Sequence, residues 1–240
     1  MMNAIHFSLK KILRNKKVLV TAGPTWVAID QVRVITSVFS GETGLRIARY
    51  LSGLGCQVTL FMGPGRARFL SDDGNRMRVL NFFHFDELKT LLRISLQENS
   101  YDVIVHSVAV PDYLPLNSVN GKIKSGFSNL KVVLIPIPKL IDKIRAMAES
   151  SLLVAFKLEV GKSENELIRA AWDSLRQHSA DLMIANNLEQ ICGEDHVAFI
   201  IDLSHQIVRV ENKTQLCARL AQKIAGQLAQ TDILRLHKGQ

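Results

Sequence analysis

The sequence predicts an α/β protein: a Rossmann-like three-layer sandwich with a mostly parallel sheet and a C-terminal antiparallel hairpin. Three observations carry that prediction. Short apolar runs such as Val18-Leu19-Val20 and the DVIVHSVA stretch at 102–109 lack polar alternation, so both faces of these strands need cover. Between such runs stand segments with apolar residues at helical spacing, for example Leu88, Leu91, Leu92 and Leu96. Strand and helix alternate along the chain, the order a doubly wound sheet requires.

Residues 1–16 form a basic lead-in with room for a short helix. Lys10, Lys11, Arg14 and Lys16 stand there, just before the first strand. That strand, 18–20, turns sharply at Ala22-Gly23-Pro24-Thr25. SGETG at 40–44 opens a helix that carries Leu45, Ala48 and Leu51. Strand, glycine turn and helix start are the parts of a phosphate-binding crossover, because glycine admits a charged ligand close to the backbone and a helix start supplies free N–H donors. The two glycine turns are well separated, and neither spells G-x-G-x-x-G or a Walker loop.

A second strand over 57–62 is broken by Gly63-Pro64-Gly65. A third fits within 77–83 and a helix over 85–98. Residues 112–126, DYLPLNSVNGKIKSG, are rich in turn formers and predict a loop long enough to be functional. A strand over 131–137, a helix over 139–149 and a strand over 152–160 follow. Ser163 with Glu166 three residues on is a capping box for the next helix. The strand at 181–185 is expected to stop at Asn186-Asn187. Residues 197–202 and 206–210 make a hairpin at the sheet edge. Leu216, Leu220, Ile224 and Leu228 mark a closing helix over 214–230. The chain thus divides into the lead-in 1–16, a single domain over 17–230 and a tail over 231–240.

Composition narrows the function. No apolar run reaches the ~20 residues of a membrane helix, and the N-terminal charges follow the apolar residues instead of preceding them as in a signal peptide. A cytoplasmic location with no membrane partner is expected. Cys56, Cys192 and Cys217 are widely spaced and form no C-x-x-C pair, which argues against a disulfide framework or structural zinc. The net charge of +8 fits an anionic small molecule better than nucleic acid, since aromatics make up only 6% and do not alternate with the basic residues.

In open α/β sheets ligands sit beyond the carboxyl ends of the strands. That rule selects Gly23, Pro24 and Thr25 with Asp30 and Arg33, then Asp112 and the lysine loop, then Phe156, Lys157 and Glu159, and finally Asn186 and Asn187. Lys157 draws notice because an unpaired ammonium in an apolar strand is costly; Glu159 is its available partner. His106 fits a satisfied core histidine, and no histidine has metal-site spacing. An NAD(P)-binding oxidoreductase is the first alternative, weakened by the missing fingerprint and by the lack of an acidic residue closing a second strand.

Five segments together resemble the phosphopantothenate–cysteine ligase family. VLVTAGPTWVAIDQVRVI resembles its strand, G-P-T turn and I-D-x-V-R run; SGETG resembles its S-G-K-x-G helix start; HSVAVPDYLP resembles A-A-A-V-A-D-Y-x-P. GKIKSG resembles its K-I-x-[KS] loop, and AFKLEV and DLMIANN resemble its later strand ends. The match runs from about Lys17 to Ala229, and the F-K-L-E and K-I-x-S elements are closer to the eukaryotic branch. The resemblance implies a stand-alone synthetase, without a flavin-dependent decarboxylase half. It would activate 4′-phosphopantothenate with ATP or CTP and Mg²⁺ to an acyl nucleotidylate and couple it to cysteine. A non-catalytic or substrate-altered nucleotide-binding relative is the other alternative.

The same resemblance implies residue roles. Gly23, Pro24 and Thr25 would line the nucleotide site, with Ala109 and Phe156 near the nucleotide and Asp112 on its base or ribose side. Asn186 would close the pocket. Lys122 would hold phosphate, while Arg33, Gly41 and Gly44 would lie near the acyl intermediate and the substrate phosphate. Lys122, Arg33 and Ser37 form the implied catalytic set. Ser37 stands where the family has Asn, and Glu42 where it has Lys or Arg. Family likeness also implies a homodimer, with the 112–126 loop a flap ordered by nucleotide.

Overall fold

A computed structural model describes residues 2–238, and within them the side chains of residues 7–231. The chain begins with α1 (Met2–Leu13), β1 (Lys17–Ala22), two short strands β2 (Val27–Ala28) and β3 (Val34–Ile35), and α2 (Glu42–Gly53). Next come β4 (Gln57–Met62), α3 (Asp73–Arg76), β5 (Arg78–Asn81), α4 (Phe85–Glu98) and β6 (Val103–His106). There follow β7 (Tyr113–Pro115), β8 (Leu134–Pro136), α5 (Leu140–Met147), β9 (Leu152–Glu159) and α6 (Glu164–Gln177). The chain closes with β10 (Leu182–Cys192), β11 (Asp195–Asp202), β12 (Ile207–Asn212) and α7 (Lys213–Lys238).

Eight strands form one sheet in the order β12-β11-β10-β9-β6-β1-β4-β5. The pairings β5-β4, β4-β1, β1-β6, β6-β9 and β9-β10 are parallel; β10-β11 and β11-β12 are antiparallel. Val18, Val58, Val103, Leu152 and Leu182 therefore share one mainly parallel sheet, with the hairpin at its edge, as the apolar runs require. Among the parallel strands the chain steps outward from β1 to β4 and β5, then returns to β6 on the other side of β1 and continues to β9 and β10. This is the doubly wound dinucleotide-fold order.

Strand periodicity sets the layers. Val18 and Val20 join the core formed with α1, α2 and α7, whereas Leu19 joins that formed with α4, α5 and α6. Both faces of β1 are thereby dry. Leu9 and Leu13 of α1 are buried in the first of these cores, so the basic lead-in is anchored by its apolar face. Ser163 and Glu166 make the reciprocal capping box expected at the start of α6.

Three segments differ from the sequence reading. β10 does not stop at Asn186 but runs to Cys192, because the β9 ladder continues through Asn186 and Asn187, and Asn187 Nδ2 donates to Lys162 O at 2.9 Å. The turn-forming tendency surfaces only as a register shift against β11 between Asn186 and Ile191. The 131–137 run supplies only β8, which pairs with β7 outside the main sheet and is exposed throughout. The closing helix runs on to Lys238.

Candidate functional site

β1 and β6 lie side by side, and the chain leaves them toward opposite edges of the sheet. Loops beyond such a pair diverge and leave a crevice. Here a cavity of about 520 Å³ opens at that point.

Its near wall is backbone packed on backbone. Gly23 has φ of +83°, and a Cβ there would come 2.9 Å from Gly63 O. Gly41, also at φ +83°, lies so close to Gly23 that an added Cβ would come 3.0 Å from the Gly23 Cα. Gly44 has no room for a Cβ against Ala22 and Ser107. The glycines thus seat the start of α2 directly on the end of β1. Residues 41–44 line the cavity, bringing the positive end of a 12-residue helix to it. Ser40 Oγ accepts from Glu42 N at 3.2 Å.

The β6 side is fixed to the same turn. Ser107 donates to Thr21 O through both N (3.0 Å) and Oγ (2.7 Å). Ala109 N donates to Gly23 O at 2.9 Å, and Thr25 donates to Ala109 O through N and Oγ1, both at 3.2 Å. The far wall comes from Phe156 and Lys157 on β9, Asn186 and Ile191 on β10, His196 on β11 and Lys213 on α7.

Charges around the cavity are mostly paired. Lys139 meets Asp112 at 2.5 Å, Lys157 meets Glu159 at 3.2 Å, and Arg46 meets Glu42 at 2.7 Å while its other nitrogens hold Glu194. Lys157 is half-buried with its carboxylate partner beside it, which explains how the strand tolerates it. His106 is buried and bonded to Thr21 Oγ1 at 2.9 Å; burial pushes it down to about 4, so it is neutral at pH 7. Among the described residues no group of three or more His, Cys, Asp or Glu side chains is placed to hold a metal ion.

Of the residues selected from sequence, Gly23, Gly41, Gly44, Ala109, Asp112, Phe156 and Asn186 line this one cavity. Pro24 and Thr25 continue the turn behind Gly23, where Pro24 bridges to Ala109. Arg33, Ser37 and Lys122 are not in the cavity wall. Arg33 and Lys122 belong to an arm built from the β2–β3 and β7–β8 hairpins, joined where Asp30 bridges to Val119. Arg33 Nη1 donates to Asp30 Oδ2 at 2.6 Å, and Lys122 is exposed. Backbone donation from Ile123 leads in holding Asp30 down to about 2, joined by Val32, Arg33 N–H and the Arg33 charge and opposed by desolvation. Ser37 Oγ is buried and has no hydrogen-bond partner among the described residues.

Sequence reasoning missed His196 and Lys213. The available signal was a histidine at the head of the apolar run VAFII and a lysine opening the last helix; neither spacing announces that the two share a wall.

Comparisons with known proteins bear on the family and the fold. The chain is 33% identical over 216 residues to the coenzyme A biosynthesis bifunctional protein CoaBC of Thermococcus kodakarensis, covering 89% of this chain and 52% of that protein. It is 31% identical over 229 residues to a cysteine/cysteine sulfinic acid decarboxylase from an unknown prokaryotic organism, covering 91% of this chain and 61% of that protein. It spans only about half to three-fifths of the length of these relatives. The fold is similar to the crystal structure of the DNA/pantothenate metabolism flavoprotein from Streptococcus pneumoniae, with a TM-score of 0.79 and 30% identity over 88% of this chain and 99% of that one. A family model, the DNA/pantothenate metabolism flavoprotein C-terminal domain, matches residues 13–228, and the chain belongs to that family.

Proposed function

We propose that this chain is a phosphopantothenate–cysteine ligase acting on a nucleoside triphosphate, 4′-phosphopantothenate and cysteine. One observation carries the reading: Gly23, the 41–44 helix start, Ala109, Phe156 and Asn186 converge on one cavity at the switch point of the sheet. A carboxylate acylates an amine poorly until its oxygen becomes part of a good leaving group. In this reading the substrate carboxylate attacks the α-phosphate, pyrophosphate leaves, and the cysteine amine attacks the acyl carbon. The helix start and nearby cations offset the negative charge that builds up. Mg²⁺ would arrive held mainly by the triphosphate, since no acidic cage stands among the described residues. Gly23, Ala109, Phe156 and Asn186 would flank the nucleotide, and Asp112 would stand at the cavity mouth.

Arg33 and Lys122 would serve as arm residues, brought to a cavity when the 112–126 loop closes or when a second chain packs alongside. The arm favours the dimer part of this proposal. It exposes Phe127, Val32 and Val133 at 66%, 65% and 62%, and Val38 just beyond β3 is 90% exposed, apolar side chains that a second chain would cover. Sedimentation at micromolar concentration is expected to show a dimer, and Val38→Glu with Phe127→Glu to shift it toward monomer. A wild-type monomer at that concentration would end this part of the proposal.

The direct test is pyrophosphate release with 4′-phosphopantothenate and ATP or CTP, with and without cysteine. Ser125 and Ser174 stand where the resemblance puts lysines in the bacterial branch and none in the eukaryotic one, which favours ATP. Ser37 offers one short hydroxyl where the family has an amide, and Glu42 puts a carboxylate in the first turn of α2. Glu42 is held by Arg46, which Glu194 also holds. Glu42→Lys would therefore leave Arg46 paired and add a cation at the helix start, at a helix-dipole cost of about 0.3–1 kcal/mol. Triphosphate binding in the unmodified chain is expected to exceed its ligation competence, and Ser37→Asn with Glu42→Lys to raise ligation severalfold. Equal ligation before and after would show that other groups already fill both roles.

A further inference from the structure

We infer that His196 and Lys213 hold a phosphate group of the bound substrate at the inner wall of the cavity; the assignment rests on the ligase reading above. His196 is only 3% exposed, lines the cavity, and has no hydrogen-bond partner on either ring nitrogen among the described residues. A buried imidazole left this way bears the uncompensated desolvation cost of a donor and an acceptor, which native structures rarely allow unless something binds there. Its ring is neutral before binding, since burial, and then the nearby Lys213 charge, push it down to about 4. A neutral ring still has one N–H to donate.

Lys213 supplies the second half. It is 8% exposed and lines the same cavity. Its Nζ donates to Gly193 O at 2.5 Å, a neutral acceptor. The carboxylates close by, Glu42 and Glu194, are both engaged by Arg46, and Asp195 at the start of β11 is exposed. Glu194 feels the Lys213 charge but its hydrogen bonds go to Arg46, so among the described residues this mostly buried ammonium has no carboxylate bonded to it, which is costly. The cavity wall also carries the first turn of α2, whose N–H groups favour an anion. An imidazole, an ammonium and a helix start, from β11, α7 and α2, suit a group with several acceptor oxygens. Phosphate has three, and it comes either from the triphosphate or from 4′-phosphopantothenate.

Calorimetric titration with ATP, inorganic pyrophosphate and 4′-phosphopantothenate separates the sources. The variants are His196→Leu, which keeps volume without polar atoms, His196→Gln, which restores a donor, and Lys213→Met. His196→Leu should weaken ATP and pyrophosphate about tenfold, and Lys213→Met by about tenfold to a hundredfold, as one neutral or one charged hydrogen bond implies. His196→Gln should recover part of the loss. The unliganded His196→Leu protein should melt no lower than wild type, because an unsatisfied group is gone. Weakening of 4′-phosphopantothenate alone would support the pair and assign it to that phosphate. Unchanged affinity for all three probes in folded His196→Leu and Lys213→Met proteins would overturn it, as would wild-type protein that binds none of them. Ligation with unchanged KM values in the variants would sink the pair while leaving the ligase reading intact. Phosphate binding that depends on the pair, without ligation in the wild type, would do the reverse.

Discussion

Asp30→Ala is expected to free the 112–126 loop and to lower ligation by roughly tenfold to a hundredfold, the loss that follows when one or two charged groups are misplaced. The carboxylate is the knot of the arm. Oδ1 accepts from Val32 N at 2.8 Å and Arg33 N at 2.7 Å; Oδ2 accepts from Arg33 Nη1 at 2.6 Å and Ile123 N at 3.0 Å. Alanine strands the three backbone donors and leaves Arg33 Nη1 only its longer bond to Ile123 O at 3.4 Å. The other ties, Val119 N to Ile29 O at 3.0 Å, Gln31 N to Gly121 O at 3.1 Å and Gln31 Nε2 to Asn120 Oδ1 at 2.8 Å, lie at the same junction and lose its support. Lys122 is next to Ile123, so its position follows the loop's. Amide exchange at residues 119–123 should rise in Asp30→Ala and stay at the wild-type rate in Lys122→Ala, which removes charge and leaves the knot. The knot's pH dependence has a definite sign. The folded value of about 2 lies below the ordinary 3.8, so the contribution is complete above pH 4 and is lost as pH falls toward 2. Wild-type exchange and kinetics in Asp30→Ala would show that the hairpins hold the loop without it.

The sheet was legible because its evidence is local. β1, β4, β6, β9 and β10 each announce double burial in a few residues, and the capping box of α6 is written in Ser163 and Glu166. The cavity's near wall was legible for a related reason: Gly23 and Gly41 stand where the backbone has positive φ and no space for a side chain. The arm was not legible. Its two-stranded pairings, β2 with β3 and β7 with β8, use strands of only two or three residues, too short for an apolar periodicity to mark them. Asn186 and Asn187 misled because a turn former stays in a strand when a parallel neighbour continues the ladder. His196 was invisible for a deeper reason. Whether a buried imidazole has a partner depends on Gly193, Lys213 and the cavity beside it, and that juxtaposition exists only in the fold.

Gly23→Ala is expected to cost about 3 kcal/mol of stability, combining roughly 1–2 kcal/mol for a left-handed backbone angle with roughly 1–3 kcal/mol for overpacking. Gly23 has φ of +83°, and its new Cβ would face Gly63 O at 2.9 Å and Gly63 C and Cα at 3.1 Å. These are backbone atoms, so no rotamer change relieves them. Gly63 cannot retreat either. Its N donates to Ala22 O at 2.8 Å, and its own Cβ direction is filled by Pro24 O and the Phe82 ring. The strain therefore moves the ends of β1 and β4 apart, at the point where Gly41 rests on Gly23. At roughly 2–4 °C per kcal/mol for a chain of this size, the melting temperature should fall by about 6–12 °C. Gly53→Ala, with nothing within 4 Å of its added Cβ and a helical position in α2, should be neutral or slightly stabilising and serves as the control. Because Gly23 lines the cavity, triphosphate affinity in the folded Gly23→Ala protein should fall as well, whereas a purely structural glycine would leave it unchanged. A melting temperature within about 2 °C of wild type, a change smaller than 1 kcal/mol implies, together with full triphosphate affinity, would show that the β1 turn has slack the backbone contacts do not reveal.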